Sequence, residues 1–429
     1  MLGVFRMAPW RRGPALLLRR PGVLTALVAA SFVAALPAAA AAPFVSSARN
    51  ATLAHRIADS CSYLVGPTVT RGVAVPSASA ISNNFFPEFG PKQIDRFVSD
   101  NESALGTQPG FQAPDLTLVS SSMLTDIADP TPATPAKVRL LARDGFEQHV
   151  TLVDGPSGEG VWVPDDWAED THVKVGSTFN ILYKDQFSGT TGTVGLRVSA
   201  VYHDLRSSPD QPWWCGDKEL YRGPPGAEFG NVAIPPVLLA DQTTFLQGVT
   251  GQVPFNTPPV MMIVSFPLTD PNLSVEAADS LLPRINRLKA SVADKDDQFF
   301  GNNPSGITYE LGTFVARAKF TGSATIPGIA PITLAGVLIG LLMVAAAAVF
   351  WVLRRSRELT ILSARGIGAG ALGLKAVIEA LPALVIGAVA GWAAAVALVR
   401  EAGPVSLITG GTPRIAAYLA AASLVASAL

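Results

Sequence analysis

The chain has 429 residues, 49% of them hydrophobic and only 15% charged, with a mean hydropathy of +0.34; its length suits two or three domains, and its charge deficit against the roughly one quarter usual for soluble proteins must have a local origin. The first 44 residues contain Arg6, Arg11, Arg12, Arg19 and Arg20 and no acid, and from Pro327 onward seven basic residues face three acidic ones, so the intervening stretch holds 20 basic and 30 acidic residues behind a net charge of −1. Basic flanks around an acidic middle exclude a nucleic-acid binder, which needs Lys and Arg clustered on its folded domain, and a single soluble enzyme.

In chain order, residues 1–22 form a basic N-terminus and residues 23–43 a first apolar span. Val23 to Ala42 carries no charge, and about 20 such residues cross the hydrocarbon layer. The same stretch also reads as a cleavable leader, with its basic start and the small residues Ala38 to Ala42, although its apolar run exceeds the roughly 7–15 residues of a leader core, which favours a retained span. Ile329 to Leu353 is a second span (329–353), Ala380 to Val399 the body of a third (376–399), and Ile415 to Leu429 a fourth (415–429). The fourth stops after about 15 apolar residues, so the sequence reads as a piece of a longer membrane protein. Lys and Arg mark cytoplasmic loops. Arg6 to Arg20 before span 1 and Arg354, Arg355 and Arg357 after span 2 therefore place residues 44–328 outside, 354–375 inside, and the loop 400–414 outside, in a multi-pass protein of the cell membrane. Glu379 is a polar residue at the border of span 3.

The outer stretch has ordinary composition and enough length for two subdomains. Strands are expected over Asp115 to Val119, Lys137 to Ala142, His149 to Val153, Gly160 to Val163, Thr178 to Tyr183 and Thr193 to Tyr202, with a turn at Gly176. Val260 to Phe266 reads as a buried strand, followed by a helix over Ser274 to Val292, whose Val275, Ala278, Leu281, Leu282, Ile285 and Leu288 recur at helical spacing. The fold class expected is an α-helical bundle of four spans, the last truncated, with a large α+β extracytoplasmic domain between spans 1 and 2.

Chemical motifs are scarce. The histidines His55, His149, His172 and His203 show no metal-ligand spacing, and neither a Walker phosphate loop nor a G-x-S-x-G elbow occurs. Gly368 to Gly373 matches G-x-G-x-x-G but lacks the preceding strand that a dinucleotide site requires. Trp213-Trp214 with Trp162 and Trp167 could form a sugar platform, although adjacent tryptophans are more often one core and one surface residue. Both cysteines, Cys61 and Cys215, lie outside, where thiols tend to pair. A structural disulfide is the first reading and two free thiols the second. Ala48, Ala51, Ala54 and Ala58 recur at helical spacing in Phe44 to Leu64, which would extend span 1 outward.

The segment Arg354 to Gly368 joins basic and apolar residues at a membrane border, either as a topological anchor with an interfacial helix or as a helix that docks a partner. Here Arg357-Glu358-Leu359, Leu362, Ala364 and Gly366, then Glu379-Ala380-Leu381, Gly387 and Gly391, resemble the FtsX/MacB-like permeases of ABC transporters. The layout of one span, a large outer domain and a cluster of spans is similar too, as are Val150 to Gly155, Val161-Trp162-Val163 and Lys174 to Phe179 to that family's periplasmic core. The resemblance implies a non-enzymatic membrane subunit with no cofactor of its own, served by a cytoplasmic ABC ATPase that binds ATP and docks at Arg357, Glu358, Leu362, Arg365 and Gly366. It also implies a second permease half or copy in the bilayer, and an output of export or control of an external partner. The sequence departs from the family at Ser363, Arg365 and the glycine-rich Gly366 to Gly373, and Pro382 is expected to kink span 3 or to end a short helix before it. The alternative from another class is a membrane-anchored receptor or adhesion domain without an ATPase.

Overall fold

A computed structural model describes residues 21–73, 75, 89–106, 110–128, 135–156, 158–184, 191–209, 211–223, 234–249, 260–296, 306–364 and 368–428. The chain divides into two compact units, one of Met1–His55, Asn272–Ala278 and Phe314–Leu429, the other of Arg56–Pro271 and Asp279–Thr313. Helix α1 (Pro21–Asp59) opens the described chain. At 1.5 Å per residue its 39 residues rise about 58 Å, nearly twice the hydrocarbon thickness of about 30 Å, so the apolar run occupies only its first half. Span 1, expected at 23–43, is thus part of a helix that continues well past Phe44. Pro37 and Pro43 lie inside it without ending it, as occurs in membrane helices, where neighbouring groups take up the freed backbone carbonyls.

The second unit is α+β and is built from one repeated device. After a single turn of helix α2 (Ser62–Val65), β1 (Thr68–Val73) leads through α3 (Pro91–Leu105) to β2 (Asp115–Ser120). Residues 121–259 then leave this sheet. The chain returns as β10 (Val260–Ser265), α7 (Val275–Asp296) and β11 (Gly306–Thr308). The strand order is β11-β1-β10-β2, with each neighbouring pair antiparallel. β1 and β2 are therefore parallel with β10 between them, and β10 and β11 are parallel with β1 between them: two interleaved βαβ units, a ferredoxin-like lobe. Ile94, Phe97 and Leu105 of α3 and Leu288 and Val292 of α7 join Val69, Leu118, Val260, Met262 and Val264 in one buried cluster. The buried strand expected at 260–266 is present as β10, although Met261 is 39% exposed between two buried neighbours, so it packs chiefly on one face at its start.

The insertion forms a ring. It runs through β3 (Met123–Ala128), β4 (Pro135–Arg143), β5 (Leu152–Asp154), β6 (Val161–Pro164), α4 (Asp165–Thr171), β7 (Thr178–Lys184), β8 (Thr191–Tyr202), α5 (Lys218–Arg222), β9 (Val237–Ala240) and α6 (Gln242–Val249). β4 pairs β3, β3 pairs β7, and the ladder continues through β8, β6 and β9 back to β4, closing a six-stranded ring without a free edge. Strand β4 joins ring to lobe by pairing β2 through Thr117–Arg143, Leu118–Ala142 and Val119–Leu141. Alternate residues of β4, β6 and β9 feed two separate cores. Leu140, Val163 and Leu238 enter one, while Leu141, Trp162 and Leu239 enter the other. The expected strand at His149 to Val153 is displaced. A 3₁₀ turn occupies Phe146–Gln148, and only Leu152–Asp154 pairs, with all three residues exposed, on β8. Gly176 does turn, at φ 86°.

The first unit contains the membrane helices. α8 (Leu311–Arg354) has 44 residues, α9 (Ser356–Ala364) nine, α10 (Ala369–Ala402) 34 and α11 (Thr412–Ala428) 17. Among the described residues, α1, α8 and α10 are long and apolar enough to span a bilayer, three candidate spans where four were expected, the last truncated. Helix α11, expected as a truncated fourth span, has 17 described residues. Pro382 lies within α10 and does not divide it.

Small residues bring three of these helices together. A Cβ added at Gly340 of α8 would fall 2.4 Å from the Cα of Ala34 on α1, and one at Gly387 of α10 would fall 2.4 Å from the carbonyl oxygen of Val28. Gly336 and Gly391 make similar approaches to Pro37 and Phe32. Glycines spaced by four on α8 and again on α10 let the α1 backbone lie against both, the packing device of helices that lack a hydrophobic drive to associate in lipid. The Ser31 hydroxyl donates to the Leu384 carbonyl at 2.7 Å in the same interface.

Candidate functional site

Helix α8 ends at Arg354 and α9 begins at Ser356. The amide of Arg355 donates to the Val352 carbonyl and that of Leu359 to the Arg355 carbonyl, so one residue separates the long helix from α9. This turn returns the Arg355 side chain to the bundle. Its guanidinium is 5% exposed, stacks 4.8 Å from the Trp351 ring centroid and pairs with Glu379 of α10, itself 1% exposed. Lys375 lies one turn before Glu379, 3.9 Å from its carboxylate and 3.4 Å from Glu358 on α9. Glu358 also lies 3.8 Å from Arg355. Two acids and two bases thus fasten α9 to the start of α10. A buried acid in a membrane helix is costly unless paired, and Arg355 supplies the neutralising charge.

Of the residues singled out in the sequence, Glu358 and Glu379 meet in this cluster. Arg357 is exposed on α9, and Leu362 is half-buried there. Arg365 and Gly366 lie outside the described residues. Arg355 and Lys375, which complete the cluster, were not singled out. Lys375 and Glu379 at i,i+4 were a detectable signal, whereas the break between the helices at Arg355 was not. With Ile361 56% exposed and Leu359 and Leu362 half-buried, α9 presents apolar and basic groups together.

In the second unit, Cys61 and Cys215 form a disulfide with Cα atoms 5.5 Å apart. Beside it lies a second buried charge centre. Arg143, at the end of β4, is held by both oxygens of Asp115 at 2.5 and 3.2 Å, by Asp217 at 2.9 Å and by the Trp213 carbonyl at 2.7 Å. Its guanidinium lies 3.7 Å from the Trp213 ring centroid and 4.5 Å from that of Tyr63. Two carboxylates share one cation here. Burial outweighs the pull of Arg143 and pushes the Asp217 carboxyl up to about 6, and burial likewise raises the Tyr63 hydroxyl. His149 stacks on Trp213 at 4.3 Å, so both faces of that ring are occupied and the sugar-platform reading fails; Trp214 is buried, donating to the His149 carbonyl. Tyr63, Trp213 and Asp217 sit within two residues of the bridged cysteines, so the disulfide and the charge centre brace one another.

The chain matches no family model. No curated protein matches it either. Among solved structures, a domain named for a permease protein of Porphyromonas gingivalis aligns with 57% of this chain and 91% of its own length, at 12% identity and a TM-score of 0.25. Agreement that weak carries no argument. The chain's own helices are what mark it as a membrane protein with a β-rich domain.

Proposed function

We propose that this chain is the membrane subunit of an FtsX/MacB-like ABC permease, oriented with residues 354–375 in the cytoplasm, in which a separate ATPase docks on α9 and its movement reaches the extracytoplasmic domain. The observation that carries the reading is the construction of α9. It is a short helix at the end of a candidate span, tied to α10 by the Arg355, Glu358, Lys375 and Glu379 cluster, with Arg357 and Ile361 left exposed. A helix tethered only by its lipid-facing side would move independently of the bundle. One fastened by buried charge transmits a push to α10 and, through the glycine contacts, to α1 and α8. The lengths of α1 and α8, about 58 and 66 Å at 1.5 Å per residue, allow each to continue beyond the bilayer as a stiff element. The role assigned to the closed ring and the interleaved βαβ lobe is mechanical or recognitive.

The test is co-purification of a nucleotide-binding subunit with the full chain from native membranes, compared with Glu358→Ala/Leu362→Ala at equal membrane insertion. Loss of a buried apolar anchor or a paired acid at a docking hot spot costs about 1–4 kcal/mol, roughly tenfold or more in affinity. Equal recovery from both proteins refutes docking through α9. No such subunit with wild type favours the anchored receptor.

A further inference from the structure

A cavity of about 870 Å³ lies in the first unit between α1, α8 and α11. It is within the range of about 300–1,000 Å³ typical of ligand pockets. Its walls are apolar along the span, with Ala38 and Val45 of α1, Ile329 and Val337 of α8, and Ile415 and Leu419 of α11. One end is polar. There Arg49, Asn50, Ser46, Glu276 and Thr409 line it.

The groups at that end differ in what they have left to offer. Ser46 bonds the Thr409 hydroxyl at 2.9 Å, and Asn50 donates to the Leu407 carbonyl and accepts from the Val275 amide, both at 2.9 Å. Thr409 in turn donates to the Glu276 carboxylate at 2.5 Å. Arg49 is the cation among the lining residues, and its Nε is buried with no hydrogen-bond partner. A buried guanidinium N–H left unpaired is costly and calls for an acceptor. Arg49 stands seven residues past Ala42, about 10 Å beyond the end of the apolar run, at the depth of lipid headgroups.

We propose that this groove is a binding site for a membrane phospholipid, one acyl chain lying along α1, α8 and α11 and its phosphate accepting from Arg49. Two of its walls, α1 and α8, are candidate membrane spans, so a bilayer would supply such a molecule directly. Planar guanidinium groups bind phosphate oxygens through parallel N–H bonds, and the apolar wall explains why an amphiphile fits where a free anion would leave the groove empty. Gly322 makes the arrangement possible. A Cβ there would fall 1.8 Å from the Arg49 Nε, so the side chain crosses α8 only because residue 322 has none. The site is independent of ATPase docking on α9.

The experiment uses the full chain in liposomes containing a phosphatidylglycerol with a photoreactive group in one acyl chain, and a parallel diacylglycerol probe without phosphate. Cross-linked peptides are quantified over 329–337 and 415–426 against the exposed face of α8 around Leu342. Labelling of the groove above that face, falling about tenfold in Arg49→Gln and in Gly322→Ala and only partly restored in Arg49→Lys, is the expected result. Gly322→Ala keeps the charge and moves only its position, which separates phosphate recognition from loss of folding. Groove labelling equal to the exposed face, unchanged by Arg49→Gln, or equally strong with diacylglycerol would overturn the proposal.

Discussion

Glu379→Met should destabilise the membrane bundle by several kcal/mol even though it puts an apolar side chain into an apolar helix. Glu379 is 1% exposed and Arg355 5% exposed, so removing the acid leaves a buried guanidinium with no equivalent partner. Breaking one side of a buried pair costs about 3–5 kcal/mol, while replacing both members by packed apolar groups is often neutral. Lys375 repels the orphaned Arg355, and Glu358 at 3.8 Å recovers only part of the loss because it is 45% exposed and screened. The double variant Arg355→Met/Glu379→Met should therefore be more stable than either single variant, with a coupling energy of about 2 kcal/mol or more. Reversible unfolding of the full chain in detergent, followed for the wild type and three variants, measures it. Additive single effects, each below about 0.5 kcal/mol, would show that the pair does not hold α9 to α10.

Other consequences are equally open to measurement. Gly340→Leu should cost about 1–3 kcal/mol or more through backbone collision with Ala34; Gly373→Ala, with nothing within 4 Å, should be neutral or mildly stabilising, and equal effects in a thermal-shift assay would contradict the packing described. Free-thiol titration of denatured, unreduced protein should find none, and reduction should destabilise the outer unit by up to about 5 kcal/mol, the chain-entropy figure for a bridge with a sequence separation of 154; two titratable thiols would contradict the bridge. Because the Asp217 carboxyl is raised to about 6 from the usual carboxylate range, the folded state holds the extra proton between about pH 4 and 6, so this group's contribution to stability is present at low pH and is lost as pH rises through 6. Asp217→Asn should flatten that part of the stability profile, and an unchanged slope would refute the assignment. A cysteine at Ser363 in a chain lacking Cys61 and Cys215 should resist an impermeant maleimide in intact cells while one at Glu159 labels, and the reverse pattern would invert the topology.

What could be read in the sequence depended on whether the signal was local. Spans 1 to 3 declared themselves by uncharged length, and β7 and β8 by alternation over Thr178 to Tyr183 and Thr193 to Tyr202. β9 escaped notice because Val237–Ala240 is four apolar residues buried on both faces, too short to separate from a loop or a helix turn. β1 was hidden by Arg71 and Gly72 in its interior. The lobe itself depends on β1 pairing with strands near residues 260 and 308, and no spacing rule spans that separation. Arg143 meets acids 28 and 74 positions away for the same reason. The inner cluster was half visible, since Glu358 and Glu379 stood out as acids at a basic border, but the turn that swings Arg355 between them has no sequence signature.

The most direct measurement of the central claim is ATP turnover by the complex purified through this chain from native membranes and reconstituted in liposomes. The account predicts vanadate-sensitive hydrolysis that disappears with Glu358→Ala/Leu362→Ala while the Cys61–Cys215 bridge remains intact. Absence of hydrolysis with the wild type, or hydrolysis indifferent to both substitutions, would contradict it.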